Sequence, residues 1–193
     1  MTDISRFGAA DLNSLPAQLR EAIEEIGRRT GFVPNVFPAL ARRPAELGAF
    51  LALHDALMER EESGLTKAER EMVVVATSAA NNCLYCVIAH GAILRIRTKQ
   101  PQLADRIAVN HRRAQLTARQ RAMLDFAVKV ARDSSTIEDG DLVTLRGHGF
   151  SDDDIWDIGA IAAFFAYSNR MADLLALEPN PQFFTLGRDN TDS

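Results

Sequence analysis

A chain of 193 residues is long enough for one domain, or for one domain built from two similar halves, with a core of its own. Hydrophobic residues make up 47% and charged residues 25%, which excludes disorder over most of the length. The formal net charge of -4, with Lys and Arg scattered among acids, provides no basic field for neutralising phosphates, so no nucleic-acid partner is expected. No apolar run approaches the roughly 20 residues of a spanning helix. The N-terminus lacks the basic-then-apolar pattern of an export signal, and the expectation is a cytoplasmic protein with no membrane partner. Two cysteines occur, Cys83 and Cys86, too close together to staple a secreted mini-domain; such a pair points to redox or metal chemistry.

Apolar residues recur at helical spacing almost throughout and sustained period-two alternation is missing, so the expected fold is all-α. A first helix is predicted from about Pro16 to Thr30, with Gly31 as its stop. Segment 32–38 reads as an apolar connector, because Pro34 and Pro38 disfavour continuous helix. Pro44 then suits the first turn of a helix to about Met58. Thr66-x-x-Glu69 has capping-box spacing and starts a helix that ends near Ala80. Asn81-Asn82 can close that helix and cap the next, so that Cys83 opens a helix to about Ile96. A short helix is expected near Gln102 to Asn110, and Leu116-Thr117-x-x-Gln120-Arg121 then repeats Leu65-Thr66-x-x-Glu69-Arg70. That likeness suggests two related halves, about 65–97 and 116–177, although convergent capping produces the same pattern. A helix around Asp139 to Arg146 is followed by Gly147 and Gly149 as breakers, then by Ser151 and three acids that favour a positive helix end. The last long helix, with Trp156, Ile161, Phe164 and Phe165, is apolar over more than half its circumference and is either central or an oligomer contact. The single domain has its core at about 14–178, and the tail 179–193 is expected to be partly flexible.

The informative segment runs from Glu71 through Cys83, Tyr85 and Cys86 to His90. A thiol is a nucleophile only as thiolate, and a helix N-terminus lowers its pKa; with Asn82 as the cap, both cysteines fall in the first turn. Residues three apart in regular helix have Cβ atoms roughly 5–6 Å apart, whereas a disulfide wants about 3.5–4.5 Å. The bond therefore requires distortion, which suits a turnover disulfide. His90 lies four residues after Cys86 on the same face, within reach for proton exchange. In an antiparallel hairpin through Asn81-Asn82, Glu71 lies about eleven residues before the turn and His90 about eight after. At roughly 1.5 Å per residue Glu71 is nearer in height to His90 than to Cys83. The expected relay has Glu71 orienting His90 and His90 serving the thiols. Helix-end physics permits either sulfur as the attacking one.

A Glu followed by Cys-x-Tyr-Cys-x-x-x-His, after a helix opening with Leu-Thr-x-x-Glu, resembles the alkylhydroperoxidase D group of the carboxymuconolactone decarboxylase superfamily, especially its peroxidase-related branch. The likeness covers about Leu65 to Arg97 and, more loosely, Leu116 to Leu177, including Asn169-Arg170-Met171-Ala172. It implies an alkylhydroperoxidase D-like helical bundle, a homo-oligomer, and a functional set falling on Glu71, Cys83, Cys86 and His90. By that likeness Cys86 is the peroxidatic thiol and Cys83 the resolving one, a small organic hydroperoxide is the substrate, and a dithiol or lipoyl-type carrier supplies electrons. Tyr85 stands where the founding enzyme has a second histidine, which puts the details of its proton relay outside the likeness.

No resident cofactor or metal is needed on this reading. One alternative is a zinc site from Cys83, Cys86, His90 and Glu71, awkward because three ligands share one helix. Another is non-redox acid–base chemistry of the decarboxylase kind. Tyr85 reads as core packing with a wet hydroxyl, His54, His111 and His148 as non-catalytic, and Asn169 as a buried polar link.

Overall fold

The computed structural model describes residues 4–188, and among them nine α-helices and four short 3-10 segments occur, with no strand. The helices are α1 (Ala17–Thr30), α2 (Val36–Leu40), α3 (Pro44–Met58), α4 (Lys67–Ala80), α5 (Leu84–Thr98), α6 (Leu103–Asn110), α7 (Ala118–Asp133), α8 (Asp139–Gly147) and α9 (Asp152–Leu175). No helix is long and apolar enough to cross a membrane among the described residues.

Their boundaries follow capping chemistry. Thr66, Thr117 and Ser151 each accept a hydrogen bond from the backbone N–H three residues on, and Glu69, Gln120 and Asp154 reach back to the cap N–H. Each of these reciprocal boxes satisfies two orphan donors and contributes about 1 kcal/mol. Gly31, at φ 81°, closes α1 in the left-handed region that glycine enters at no steric cost. Two expectations need correction. The connector at 32–38 contains the single-turn helix α2, because Pro38 sits at its third position, where the N–H is an orphan anyway. Gly147 is the last residue of α8, and only Gly149, at φ 83°, breaks the chain direction.

The centre of the bundle is α4, which packs on α5, α6, α7 and α9. Ten consecutive residues, Glu69 to Ser78, are buried. Val73, Val74 and Val75 meet Leu94, Leu124, Ile158, Ile161 and Phe165 in one continuous core. The charged residues of α4 survive there because each is paired. Arg70 donates to the carbonyls of Met58 (2.8 Å) and Arg60 (2.5 Å), so one guanidinium closes the end of α3. Glu69 receives Arg119 at 2.6 Å. The long helix α9 fills the position next to α4. It buries Ile158, Ile161 and Phe165 yet leaves Trp156, Tyr167 and Leu174 exposed, so it has both a core face and an apolar outer stripe.

Beyond α9, Pro181–Phe184 forms a 3-10 turn that lies on α5. Arg95 of α5, itself buried, donates to the carbonyls of Leu186 (2.9 Å) and Phe183 (2.7 Å) and holds this segment down. The part of the predicted flexible tail at 189–193 lies outside the described residues.

Candidate active site

The turn between α4 and α5 sets the site. Cys83 N–H bonds to Ser78 C=O at 3.0 Å and Asn82 N–H to Ala79 C=O at 3.1 Å, with Asn82 at φ 59°. This is a Schellman closure with asparagine in the left-handed position that glycine usually takes, a conformation its short polar side chain tolerates. The expected cap is therefore off by one residue. Asn82 belongs to the end of α4, and Cys83 itself, extended at φ -81° and ψ 106°, is the N-cap of α5. Cys86 is the third helical residue. Because Cys83 lies outside the helical φ/ψ region, the pair is not fixed at helical Cβ spacing, and the distortion expected for disulfide formation in a regular helix is not required.

Both sulfurs are free thiols and both are buried, at 0% and 2% exposure. The hairpin places Glu71 Oε2 2.9 Å from His90 Nδ1, as the height argument predicted. Arg97 Nε lies 3.7 Å from the other carboxylate oxygen. Phe165 meets the His90 ring edge-to-face, with centroids 4.7 Å apart, and so fixes the imidazole plane. From α9, Ser168 Oγ lies 3.9 Å from the Cys86 sulfur. The fully buried Asn169 amide donates to Ser78 Oγ at 2.9 Å and accepts from Asn81 Nδ2 at 2.9 Å. The C-terminal half of α9 thus supplies polar neighbours that sequence reading missed in Ser168 and recognised only as a polar link in Asn169. Their one signal is two adjacent polar residues in an apolar helix.

The electrostatics of the two thiols diverge. A hydrogen bond from the Cys83 thiol is the largest influence on Cys86 and outweighs its burial. The His90 charge, Asn169 and Ser168 help, and the Cys86 pKa is drawn down from 9.0 to about 7. Cys83 is driven strongly upward, first by its role as donor to Cys86, then by burial and by the neighbouring negative charge. Burial alone would push His90 down, but the Glu71 charge and hydrogen bond hold it above its ordinary 6.5. The arrangement favours Cys86 over Cys83 as the thiolate, beside a His90 whose charged form Glu71 supports.

Tyr85 is buried; its hydroxyl accepts the first N–H of α2, from Val36 at 3.2 Å, and its ring meets Phe183 edge-on. His54 pairs with Asp55 and is separated from His90 by the edge-to-face rings of Phe164 and Phe165. His111 pairs with Asp125 of α7 at 2.9 Å. Among the described residues no group of three or more His, Cys, Asp or Glu side chains is placed to hold a metal ion, so the ligand set of the zinc alternative is not assembled.

An all-helical bundle with a Cys-x-x-Cys pair at a helix start, beside a buried histidine–carboxylate pair, defines a class of helical paired-thiol proteins. Residues 44–110 match the carboxymuconolactone decarboxylase family. The chain is similar to an uncharacterised peroxidase-related protein from Ralstonia eutropha with an alkylhydroperoxidase AhpD core. The identity is 56% over 98% of this chain and 99% of that one, with a TM-score of 0.95. It is also similar to a peroxidase-related protein from Silicibacter, at 43% identity over 97% of this chain and 100% of that one, with a TM-score of 0.88. The debrominase Bmp8, 17% identical over 97% of each chain with a TM-score of 0.75, shares the fold. No curated protein matches the chain. The protein belongs to the alkylhydroperoxidase D and carboxymuconolactone decarboxylase superfamily.

Proposed function

We propose that the protein is a thiol peroxidase that reduces organic hydroperoxides through a Cys83–Cys86 disulfide cycle. The observation that carries this reading is geometric: two free, buried thiols at the N-cap and third residue of α5 lie beside a His90–Glu71 pair joined at 2.9 Å, and Cys86 is the thiol drawn downward. A nucleophile and a protonated partner side by side are what attack and resolution need in turn. The Cys86 thiolate attacks the terminal oxygen of ROOH; the O–O bond breaks, an S–O bond forms, and the departing alkoxide takes a proton from His90 to leave as alcohol. Cys83 then displaces hydroxide from the sulfenic acid, giving the disulfide and water, with the Cys83 proton accounted for in that water. A small dithiol of the lipoyl type restores both thiols by exchange. Glu71 holds the His90 imidazolium in place and in its charged form.

One equivalent of alkyl hydroperoxide added to fully reduced protein is expected to remove both thiols within a single turnover, read by intact mass and thiol titration. The Cys83→Ala variant is expected to stop at a sulfenic acid that a dimedone-type probe captures on Cys86. Thiols that ignore the peroxide would overturn the reading. The same variant has a distinctive pH dependence. Without its donor, the Cys86 pKa rises, since burial is then opposed only by His90, Asn169 and Ser168. The thiolate fraction at pH 7 falls, while the more basic thiolate is the stronger nucleophile. Sulfenic acid formation should therefore be slower than wild type at pH 7 and faster than wild type well above it, once Cys86 is ionised in both.

The proposal includes a homo-oligomer. Trp156 (75% exposed), Ala163, Tyr167 and Leu174 recur at heptad spacing along the outer face of α9, beside the exposed Leu53 of α3. Such a stripe is the kind of surface that self-association covers. Light scattering should give more than one chain for wild type and a single chain for Trp156→Glu/Ala163→Glu; a monomeric wild type at micromolar concentration sinks this part.

A further inference from the structure

A cavity of about 310 Å³ opens between α2, α3 and the end of α9, bounded also by Phe7 from the N-terminal segment. Its walls are apolar: Val36 and Leu40 of α2, Leu47 and Phe50 of α3, and Met171 of α9. The volume lies at the lower end of those that hold organic ligands of ordinary size. Its inner lining includes Tyr85 and Ser168, and Ser168 Oγ is the group 3.9 Å from Cys86 Sγ. The cavity therefore comes within one side chain, that of Ser168, of the reactive sulfur.

Tyr85 has a second property here. Its hydroxyl oxygen accepts the Val36 N–H, and its own proton meets no acceptor among the described residues. A buried hydroxyl with an unspent donor beside an apolar cavity is suited to a ligand oxygen.

The charge at the cavity is confined to Arg42, Arg43 and Glu46. All three are exposed, and among the described residues none makes an ion pair. Arg42 is held over the Phe7 ring at 5.9 Å, which directs a guanidinium to the rim. Two unpaired guanidinia against one carboxylate leave the rim net positive while the interior is apolar.

We infer that this cavity binds the organic portion of an acidic amphipathic hydroperoxide, with the apolar body against α2, α3 and Met171, the peroxide at Tyr85 and Ser168, and a carboxylate at Arg42 and Arg43. The inference rests on the peroxidase reading for its chemistry and on the cavity alone for its binding. Guanidinium pairs carboxylate with two parallel hydrogen bonds, and a rim site of this kind supplies discrimination more than tight affinity.

The test compares sulfenic acid formation by a medium-chain hydroperoxy carboxylic acid and by its methyl ester, beside direct binding of decanoate to reduced protein. Wild type is expected to prefer the acid about five- to tenfold in kcat/KM, the scale of two exposed ion pairs, and to lose that preference as ionic strength rises. In Arg42→Gln/Arg43→Gln the acid-to-ester ratio should fall to about one and decanoate binding should weaken by a similar factor. Glu46→Gln should raise both. Equal rates for acid and ester in wild type, or a preference that survives in the double variant, would overturn the inference. If neither hydroperoxide consumes the thiols, the peroxidase reading fails and decanoate decides the cavity: Arg-dependent binding upholds it, and no binding ends it.

Discussion

Replacement of Cys86 by serine is expected to abolish hydroperoxide reduction, lowering turnover by at least roughly 10³-fold, the scale of losing a covalent nucleophile. A serine hydroxyl does not ionise near neutrality, and the groups that draw Cys86 to about 7, namely Cys83, His90, Asn169 and Ser168, cannot bring an alcohol into that range. The substitution is nearly isosteric, and Ser168 and Asn169 offer the new hydroxyl partners, so the fold should persist and the loss should be chemical. Cys83→Ser should differ in kind: the first step proceeds, the enzyme halts as a sulfenic acid, and catalytic cycling with a dithiol stops. Stopped-flow peroxide consumption with mass analysis separates the two. Equal behaviour of the two variants would remove the distinction between attacking and resolving sulfur.

Glu71→Gln carries the second large effect, a fall of about 10²-fold or more in kcat/KM, the range for losing positioned proton transfer. Glutamine preserves the volume and the hydrogen bond to His90 Nδ1 but removes the charge that holds His90 above 6.5. Burial then dominates, and His90 becomes neutral at lower pH. In wild type the rate should rise with pH as Cys86 ionises through about 7 and decline only where His90 gives up its proton. In the variant that decline moves to lower pH and the rising limb to higher pH, because the His90 charge also assists Cys86. The optimum should therefore narrow as well as fall. Stability follows the same linkage. A histidine raised on folding contributes stability that is fully present below its unfolded pKa and is lost as pH climbs through the folded value. The difference in unfolding free energy between wild type and Glu71→Gln should thus be largest in mildly acidic solution and shrink toward alkaline pH. A variant with an unchanged pH profile would make Glu71 a structural residue only.

What the chain discloses by itself is chiefly local. Thr66 with Glu69, Thr117 with Gln120 and Ser151 with Asp154 are satisfied within three residues of their own helix start, so their sequence spacing is also their geometry. The pairing of Glu71 with His90 was legible for a related reason: one hairpin with a short turn converts residue counts into heights. Errors arise where two local solutions are nearly equivalent. Asn81-Asn82-Cys83 offers several candidates for closing one helix and opening the next, and placing Asn82 in the left-handed region shifts the cap by one residue. The role of Ser168 lay beyond reach because it depends on how α9 docks against α5, a contact 82 residues apart in the chain. The central position of α4 was hidden by its own charges. Glu69, Arg70 and Glu71 carry no local mark of burial, and it is Arg119, the carbonyls of Met58 and Arg60, and His90 that offset its cost.

The segment at Ile4–Arg6 and the end of α9 finish each other. Arg6 N–H bonds to Leu175 C=O at 2.6 Å, its guanidinium to Leu174 C=O at 3.0 Å, and Glu178 N–H to Ile4 C=O at 3.1 Å. The last carbonyls of α9, orphaned by helix geometry, are thus satisfied by Arg6. Loosening either segment should in consequence loosen the other: amide hydrogen exchange at Glu178 and at Arg6 is expected to rise together, because one set of bonds restrains both.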